Sequence, residues 1–178
     1  MSRPEAGALV TEYDLDGNPR RTFGELRATG QEKDRPVHEA LNMGLVLPIP
    51  TGGYYYMFLS GVPMFRKYDA AGKLMFERHV QGVEVDPYIS QMPGSWRRRT
   101  ENGEVPLVPS MLRTAAVDPD GNLWVSLLAP FTYVYDAAGE KRRTIQFRAA
   151  GTVAPTGFFF TGDARVLVAP GCYLFSAR

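Results

Sequence analysis

The sequence predicts an all-β protein built from repeated antiparallel sheets. First, 18 glycines and 14 prolines interrupt the chain so often that only residues 35–43 keep a weak helical period. Second, short runs rich in β-branched and aromatic residues alternate with turn sequences, as in strands joined by hairpins. Third, one turn sequence recurs along the chain, which is typical of a repeat architecture.

The recurring turn has the form Tyr-Asp-x-x-Gly. It occurs at residues 13–17, 68–72 and 135–139, and the last two copies are identical. The longer segments 13–23 and 135–145 share six of eleven residues. The Asp side chain can accept hydrogen bonds from backbone N–H groups two residues on, and the Gly adopts the positive φ that the turn needs. Each copy lies between β-rich runs, so each predicts a hairpin between the two outer strands of a unit.

A second class of turn alternates with the first. It occurs at residues 51–53, 118–122 and 161–164, and each example separates two β-rich runs that would be inner strands. In residues 115–147, an Asp-Pro-Asp-Gly-Asn turn of the second class is followed by a Tyr-Asp-x-x-Gly turn, with apolar runs on both sides of each. The alternation therefore predicts units of four antiparallel strands.

The turns divide residues 9–178 into four units and two connections. The first unit (9–26) has only its two outer strands, the second (44–80) and third (111–147) are complete, and the fourth (157–177) lacks its outermost strand. The connections are a charged segment (27–42) and a long loop between units (82–110) that is rich in Pro, Gly and charge. A loop of that length without structure is usually functional or disordered.

This pattern resembles the NHL-type and related six-bladed β-propeller superfamily over residues 9–178. The resemblance rests on the Asp-Pro-Asp-Gly-Asn-Leu-Trp-Val segment at 118–125 and on the Tyr-Asp-x-x-Gly turns. It implies four-stranded antiparallel blades around a central channel, with ligands bound at the channel mouth. Two complete and two partial blades do not close a ring. We therefore expect either a part of a longer propeller or a homodimer in which two copies complete each other.

Composition and charge limit the classes of partner. The 178 residues include 20 basic and 19 acidic side chains, and this near-neutral balance argues against a nucleic-acid or anionic-membrane partner. The chain begins without the apolar segment of a signal peptide, and no run approaches the length of a membrane span, so we expect a soluble chain, although a longer parent could be exported. A single cysteine, Cys172, excludes an internal disulfide, and we expect it to be buried.

In a propeller, the connections between blades and the loops between middle strands lie on one face, where we expect any ligand site. The long loop holds an aromatic-rich and arginine-rich set of candidate ligand-binding residues: Tyr88, Trp96, Arg97, Arg98 and Arg99. An aromatic ring beside guanidinium groups can stack on and clamp a carboxylate, a phosphate or a sugar. Alternatively, Trp96 packs the loop down and the arginines are solvated. Arg113 and Thr114, facing the channel, form a second candidate set.

The sequence predicts no metal ligand, no catalytic residue and no cofactor. Asp118, Asp120 and Asn122 resemble the start of a calcium loop, but the acidic residue that should complete it is missing, and a turn explains all of them. The two histidines, His38 and His79, lie in different parts of the chain and belong to no zinc or catalytic-triad motif. The aromatic runs at 54–56 and 158–160 are expected to pack between blades.

Two functions remain open. The first is a non-catalytic binding or scaffolding propeller that recognises a protein, peptide or carbohydrate ligand at its loop-rich face. The alternative is a metal-dependent enzyme similar in fold to the gluconolactonase and streptogramin-lyase types, with metal ligands on inner strands. The inner strands 44–50 and 157–161 are almost wholly apolar, which favours binding. An enzyme would need its site completed by missing blades or by a second chain.

Overall fold

A computed structural model describes residues 1–93, 95–101 and 103–176, and the fold is all-β, as predicted. Within these residues the strands form six small antiparallel sheets, and none of these sheets closes on itself. Glycines with positive φ lie in all three Tyr-Asp-x-x-Gly turns, at Gly17, Gly72 and Gly139. In each of these turns the Gly N–H donates to the carbonyl of the turn Asp. The repeated motif thus folds into the same tight turn at each position.

The N-terminal region contains a short 3₁₀ helix, a hairpin and an α-helix. The 3₁₀ helix is Pro4–Ala6, the hairpin strands are β1 (Val10–Tyr13) and β2 (Pro19–Phe23), and the helix is α1 (Arg35–Asn42). Helix α1 coincides with the weak helical period in the sequence. It buries Val37 and Leu41, which are one turn apart on the same face of the helix.

Two four-stranded antiparallel sheets follow, each with its strands in chain order. The first sheet contains β3 (Gly44–Pro48), β4 (Tyr54–Phe58), β5 (Met64–Tyr68) and β6 (Leu74–His79). The second contains β9 (Leu112–Val117), β10 (Leu123–Leu127), β11 (Thr132–Tyr135) and β12 (Lys141–Ile145). Strands β4, β10 and β11 are almost wholly buried because both of their faces are covered by neighbouring sheets.

The segment between these sheets contains secondary structure that the sequence analysis did not predict. It includes a short helix, α2 (Asp86–Ser90), and a hairpin of β7 (Arg97–Thr100) and β8 (Gly103–Pro106). Val85 is 1% exposed and Ile89 packs against the main core, so the segment is anchored by apolar burial. These two apolar residues lie among turn-forming and charged residues, so the sequence shows no periodic apolar pattern that would predict the helix or the hairpin.

The C-terminal region adds a short hairpin and a three-stranded sheet. The hairpin contains β13 (Phe147–Arg148) and β14 (Thr152–Val153), and the sheet contains β15 (Gly157–Thr161), β16 (Arg165–Ala169) and β17 (Tyr173–Ser176). Within the part of the chain that the structure describes, no helix is long and apolar enough to cross a membrane.

In the part of the chain that the structure describes, three apolar clusters lie between successive sheets. One joins the β1–β2 hairpin to the first four-stranded sheet, one joins the two four-stranded sheets, and one joins the second of these to the C-terminal sheet. The turn glycines contribute to this stacking. A Cβ atom at Gly72 would lie 2.8 Å from Phe23, and one at Gly139 would lie 2.7 Å from Phe76. Each turn therefore packs against an aromatic residue of the preceding sheet, where only glycine fits.

The first strands of the three larger sheets are neighbours, since β3 contacts β9 and β9 contacts β15. Tyr55 and Tyr56 are fully buried between sheets. Phe158 and Phe160 lie 5.9 and 5.2 Å from the ring of Trp124, whereas Phe159 is 66% exposed. The aromatic run at 158–160 is therefore only partly buried, because alternate residues of β15 face opposite sides of a sheet that has one covered face.

The expectation that Cys172 is buried is wrong. Cys172 is exposed and has a φ of 53°, in the turn between β16 and β17. Cys172 borders an open depression together with Phe159 and Leu167 of the C-terminal sheet.

Candidate functional site

The connecting segments meet at a cavity of about 420 Å³ beside the first four-stranded sheet. Its walls come from the segment after β2, the β4–β5 loop and the segment after β6, which contribute Arg27, Val62 and Trp96 respectively. Strands β5 and β6 add the side chains of Arg66 and Glu77. The cavity thus combines loop residues with side chains held on a rigid sheet.

The guanidinium of Arg27 is held in one orientation by backbone carbonyls. Its Nη2 donates to the Leu41 carbonyl at 2.7 Å and also to the Ser60 carbonyl, and its Nη1 donates to the Val62 carbonyl at 3.2 Å. The same group lies 4.3 Å from the centroid of the Phe58 ring. These contacts link Arg27 to α1 and to the β4–β5 loop.

Gly61 makes this arrangement possible. Its φ is 71°, and a Cβ atom there would lie 2.9 Å from Nη2 of Arg27. A side chain at this position would be strained and would push the guanidinium away from the loop. The loop sequence therefore permits the close approach of Arg27 to the Ser60 and Val62 carbonyls.

The charges of the cavity wall do not balance. Among the described residues, Arg27 has no ion-pair partner. Glu77 pairs instead with Arg66, at 2.6 Å, and the Arg66 guanidinium lies 5.4 Å from the Phe58 ring that Arg27 also contacts. Burial, and then repulsion from Arg66, lower the pKa of Arg27 to about 10. Arg27 therefore stays protonated at neutral pH, and these three side chains carry one net positive charge.

The rest of the cavity wall is mainly apolar. Leu41, Val62, Met64, Met92 and Trp96 line it, and His79 lies at the same wall. Trp96 is half-buried, so its ring can contact a bound molecule without leaving the protein surface. An anionic group next to an apolar group is the chemistry that this wall complements.

Of the candidate residues from the sequence, only Trp96 lines this cavity. Arg98 and Arg99 are exposed on β7, and Tyr88 is 36% exposed on α2. Arg113 lies on β9 beside a separate, open depression of about 530 Å³, where its Nη2 donates to the Leu128 carbonyl at 3.3 Å. The structure therefore does not bring the candidate set together around one ligand position.

Arg97 has a partner within the protein. Its guanidinium forms a two-point ion pair with the Asp34 carboxylate, with Nη2 at 2.7 Å from Oδ1. The pairing lowers the pKa of Asp34 and raises that of Arg97. Asp34 immediately precedes α1, so this pair fastens the β7–β8 hairpin to the segment before that helix.

Arg27, Arg66 and Glu77 were missed by sequence reasoning. A signal for the Arg66–Glu77 pair exists, because the two residues face each other across the hairpin closed by the turn at 68–72. No comparable signal exists for Arg27, whose partners are backbone carbonyls 14 to 35 residues away in the chain. A hydrogen bond to a backbone carbonyl depends on where the tertiary structure places that carbonyl, and the side chain of the accepting residue gives no indication of it.

Hydrogen bonds to the Asp118 carboxylate hold the turn at 118–122 together. Asp118 Oδ1 accepts from the backbone N–H groups of Asp120 and Asn122, at 3.0 and 2.8 Å, and Oδ2 accepts from Nε1 of Trp124 at 2.9 Å. Elsewhere in residues 1–93, 95–101 and 103–176, no three His, Cys, Asp or Glu side chains lie close enough to hold a metal ion.

No protein-family model matches this chain, and no curated protein matches it in sequence. The chemistry of the cavity is therefore the basis on which a function can be assigned.

Proposed function

We propose that this chain is part of a β-propeller of the NHL-like, six-bladed type, and that it is a non-catalytic binding or scaffolding module. The stacking of the sheets in chain order supports the propeller. So does the contact of β3 with β9 and of β9 with β15, because the innermost strands of successive blades are neighbours around a central channel. A second copy of the chain would complete the ring.

The ligand is a protein, peptide or carbohydrate that binds where the connecting segments meet. One observation carries this proposal: the cavity beside the first four-stranded sheet presents an oriented Arg27 guanidinium with no carboxylate partner among the described residues. Keeping a charged group in a partly buried position is costly unless it is neutralised. A bound ligand that supplies the opposite charge would remove this cost.

The metal-dependent enzyme stays the alternative. It would need metal ligands from outside the described residues, since these contain no cluster of potential ligands. No feature of the cavity favours it over binding.

Arrays of peptides and glycans would test the proposal. Wild-type protein would be compared with Val62→Trp, which places a large side chain at the cavity rim, and with Val83→Trp as a control. Val62 and Val83 are 43% and 79% exposed, so both substitutions are compatible with folding. We expect at least one ligand that binds wild type and Val83→Trp but not Val62→Trp. An array without such a ligand would contradict the proposal.

A further inference from the structure

We propose that the cavity beside the first four-stranded sheet recognises a peptide carboxylate that adjoins an apolar side chain, with Arg27 as the group that binds the carboxylate. This inference rests on the proposed binding function and adds the chemical class of the ligand. It is supported by the hydrogen-bonding capacity of Arg27, by the charge of the cavity wall and by the apolar character of the remaining wall.

The Arg27 guanidinium has N–H groups that are not used by its contacts within the described part of the protein. A guanidinium has five N–H groups, and three of them are used by the carbonyls of Leu41, Ser60 and Val62. Nε of Arg27 donates to no oxygen within the described parts of the chain. Because the carbonyl contacts and the Phe58 ring hold the guanidinium in place, little side-chain freedom is lost when an anion binds.

The nearby charges favour an anion. Glu77 is the acidic side chain of the cavity wall, and it already accepts from Nε of Arg66 at 2.6 Å. Arg66 also donates to the carbonyl of Glu25, so its guanidinium is bound on two sides. The positive charge that remains available to a ligand is therefore that of Arg27. A carboxylate can accept charge-assisted hydrogen bonds from it.

The apolar wall distinguishes a peptide from an acidic sugar. Met64, Met92 and Trp96 line the same cavity as Arg27 and offer apolar surface for an aliphatic or aromatic side chain. A sugar would bring several hydroxyl groups that need polar partners, and an apolar wall does not supply them. A volume of about 420 Å³ lies in the range of cavities that hold small ligands, which suits one or two residues of a peptide.

The experiment compares matched probes by isothermal titration calorimetry. The first probe is N-acetyl-Gly-Gly-Leu with a free C-terminal carboxylate, and the second is its C-terminal amide, which is neutral and has nearly the same shape. N-acetyl-Glu-Leu amide places the carboxylate on a side chain, and glucuronate tests an acidic sugar. We expect the free acid to bind at least tenfold more tightly than the amide and to weaken as salt is added. Binding of N-acetyl-Glu-Leu amide as well would extend the site to side-chain carboxylates.

Two variants test the role of charge. Arg27→Met should abolish binding of the free acid, but it also removes contacts between α1 and the β4–β5 loop and so endangers folding. Glu77→Gln is a milder change, because the Glu77 side chain is 37% exposed and a glutamine carbonyl oxygen can still accept from Nε of Arg66. It removes a negative charge from the wall, so the free acid should bind several-fold more tightly while the amide is unaffected. Val62→Trp should block both probes.

The outcomes separate this inference from the proposed function. Equal binding of acid and amide that Val62→Trp blocks would overturn the carboxylate class and leave the binding function in place. Preferred binding of glucuronate would overturn the peptide class in the same way. If neither peptide nor sugar binds, this inference is overturned, and the array comparison then decides whether the binding function fails with it.

Discussion

Asp118 shows how a single side chain supports both a turn and the core. Asp118 is 6% exposed. Its carboxylate accepts hydrogen bonds from two backbone N–H groups of its own turn and from the indole N–H of buried Trp124. Asp14 makes the same backbone contacts in the first turn, with Asp16 and Asn18, but it is not close to a tryptophan. Comparing substitutions at Asp118 and Asp14 therefore separates the stability contributed by the turn from that contributed by the hydrogen bond to the indole.

We expect Asp118→Ala to lower the free energy of unfolding by about 2–3 kcal/mol, because it leaves the Trp124 N–H unsatisfied in the core and loosens the turn. Asp14→Ala, the matched control, should cost clearly less. Urea unfolding of the two variants and the wild type measures both values. Equal losses would show that the indole contact contributes nothing.

Glu12 predicts a pH dependence of stability. Arg21 binds both of its carboxylate oxygens, at 2.6 and 2.8 Å, and lowers the pKa of Glu12 to about 2. The ordinary value is 4.5, so between these pH values the unfolded chain binds more protons than the folded chain. The stabilisation from this pair is therefore complete above about pH 4.5 and is lost as the pH falls towards 2.

We expect the stability difference between wild type and Glu12→Gln to be largest above pH 5 and to shrink as the pH falls from about 4.5 to 2. Urea unfolding midpoints across this range measure it. Glu5→Gln is the control, because the Arg3–Glu5 pair is exposed and its removal should change the pH profile less. Parallel curves for wild type and Glu12→Gln would contradict the assignment.

At the scale of single elements, one ion pair links the β7–β8 hairpin to the segment before α1. Arg97 binds Asp34, whereas Arg99, on the same strand, has no hydrogen-bond or ion-pair partner within the described residues. We expect Arg97→Ala to release the hairpin and to speed cleavage of residues 82–110 by glutamyl endopeptidase severalfold. Arg99→Ala should leave the cleavage rate unchanged. Equal rates for the two variants would show that the hairpin is held by other contacts.

Strand β16 has one covered and one uncovered face. Val168 is fully buried and belongs to the cluster around Trp124, whereas Leu167 faces the other way, in register with exposed Phe159 and Leu174. We expect Val168→Ala to cost about 2 kcal/mol of unfolding free energy and Leu167→Ala less than about 1 kcal/mol, although leucine loses more carbon atoms. Denaturant unfolding checks this order, and a reversed order would contradict the register of the strand.

At the scale of the whole molecule, the uncovered face of the C-terminal sheet is where the stacking of sheets stops. Phe159 and Leu174 are 66% and 48% exposed there. If a second copy completes the ring, light scattering should give about twice the chain mass of 19.8 kDa, and Phe159→Glu should return the mass to that of one chain. Val83→Glu is the control and should leave the dimer intact. A wild-type mass of one chain at all concentrations would contradict completion by a second copy.

The sequence by itself determined the all-β class, the positions of the tight turns and the weak helix near residue 35. These features depend on local chemistry: an Asp that accepts from nearby N–H groups, a Gly that adopts positive φ, and alternation of side chains along a strand. The tertiary structure alone decided the cavity, the pairing of Arg97 with Asp34 and the exposure of Cys172. The cavity and the ion pair bring together segments that are distant in sequence, and a single sequence carries no local signal of which segments meet.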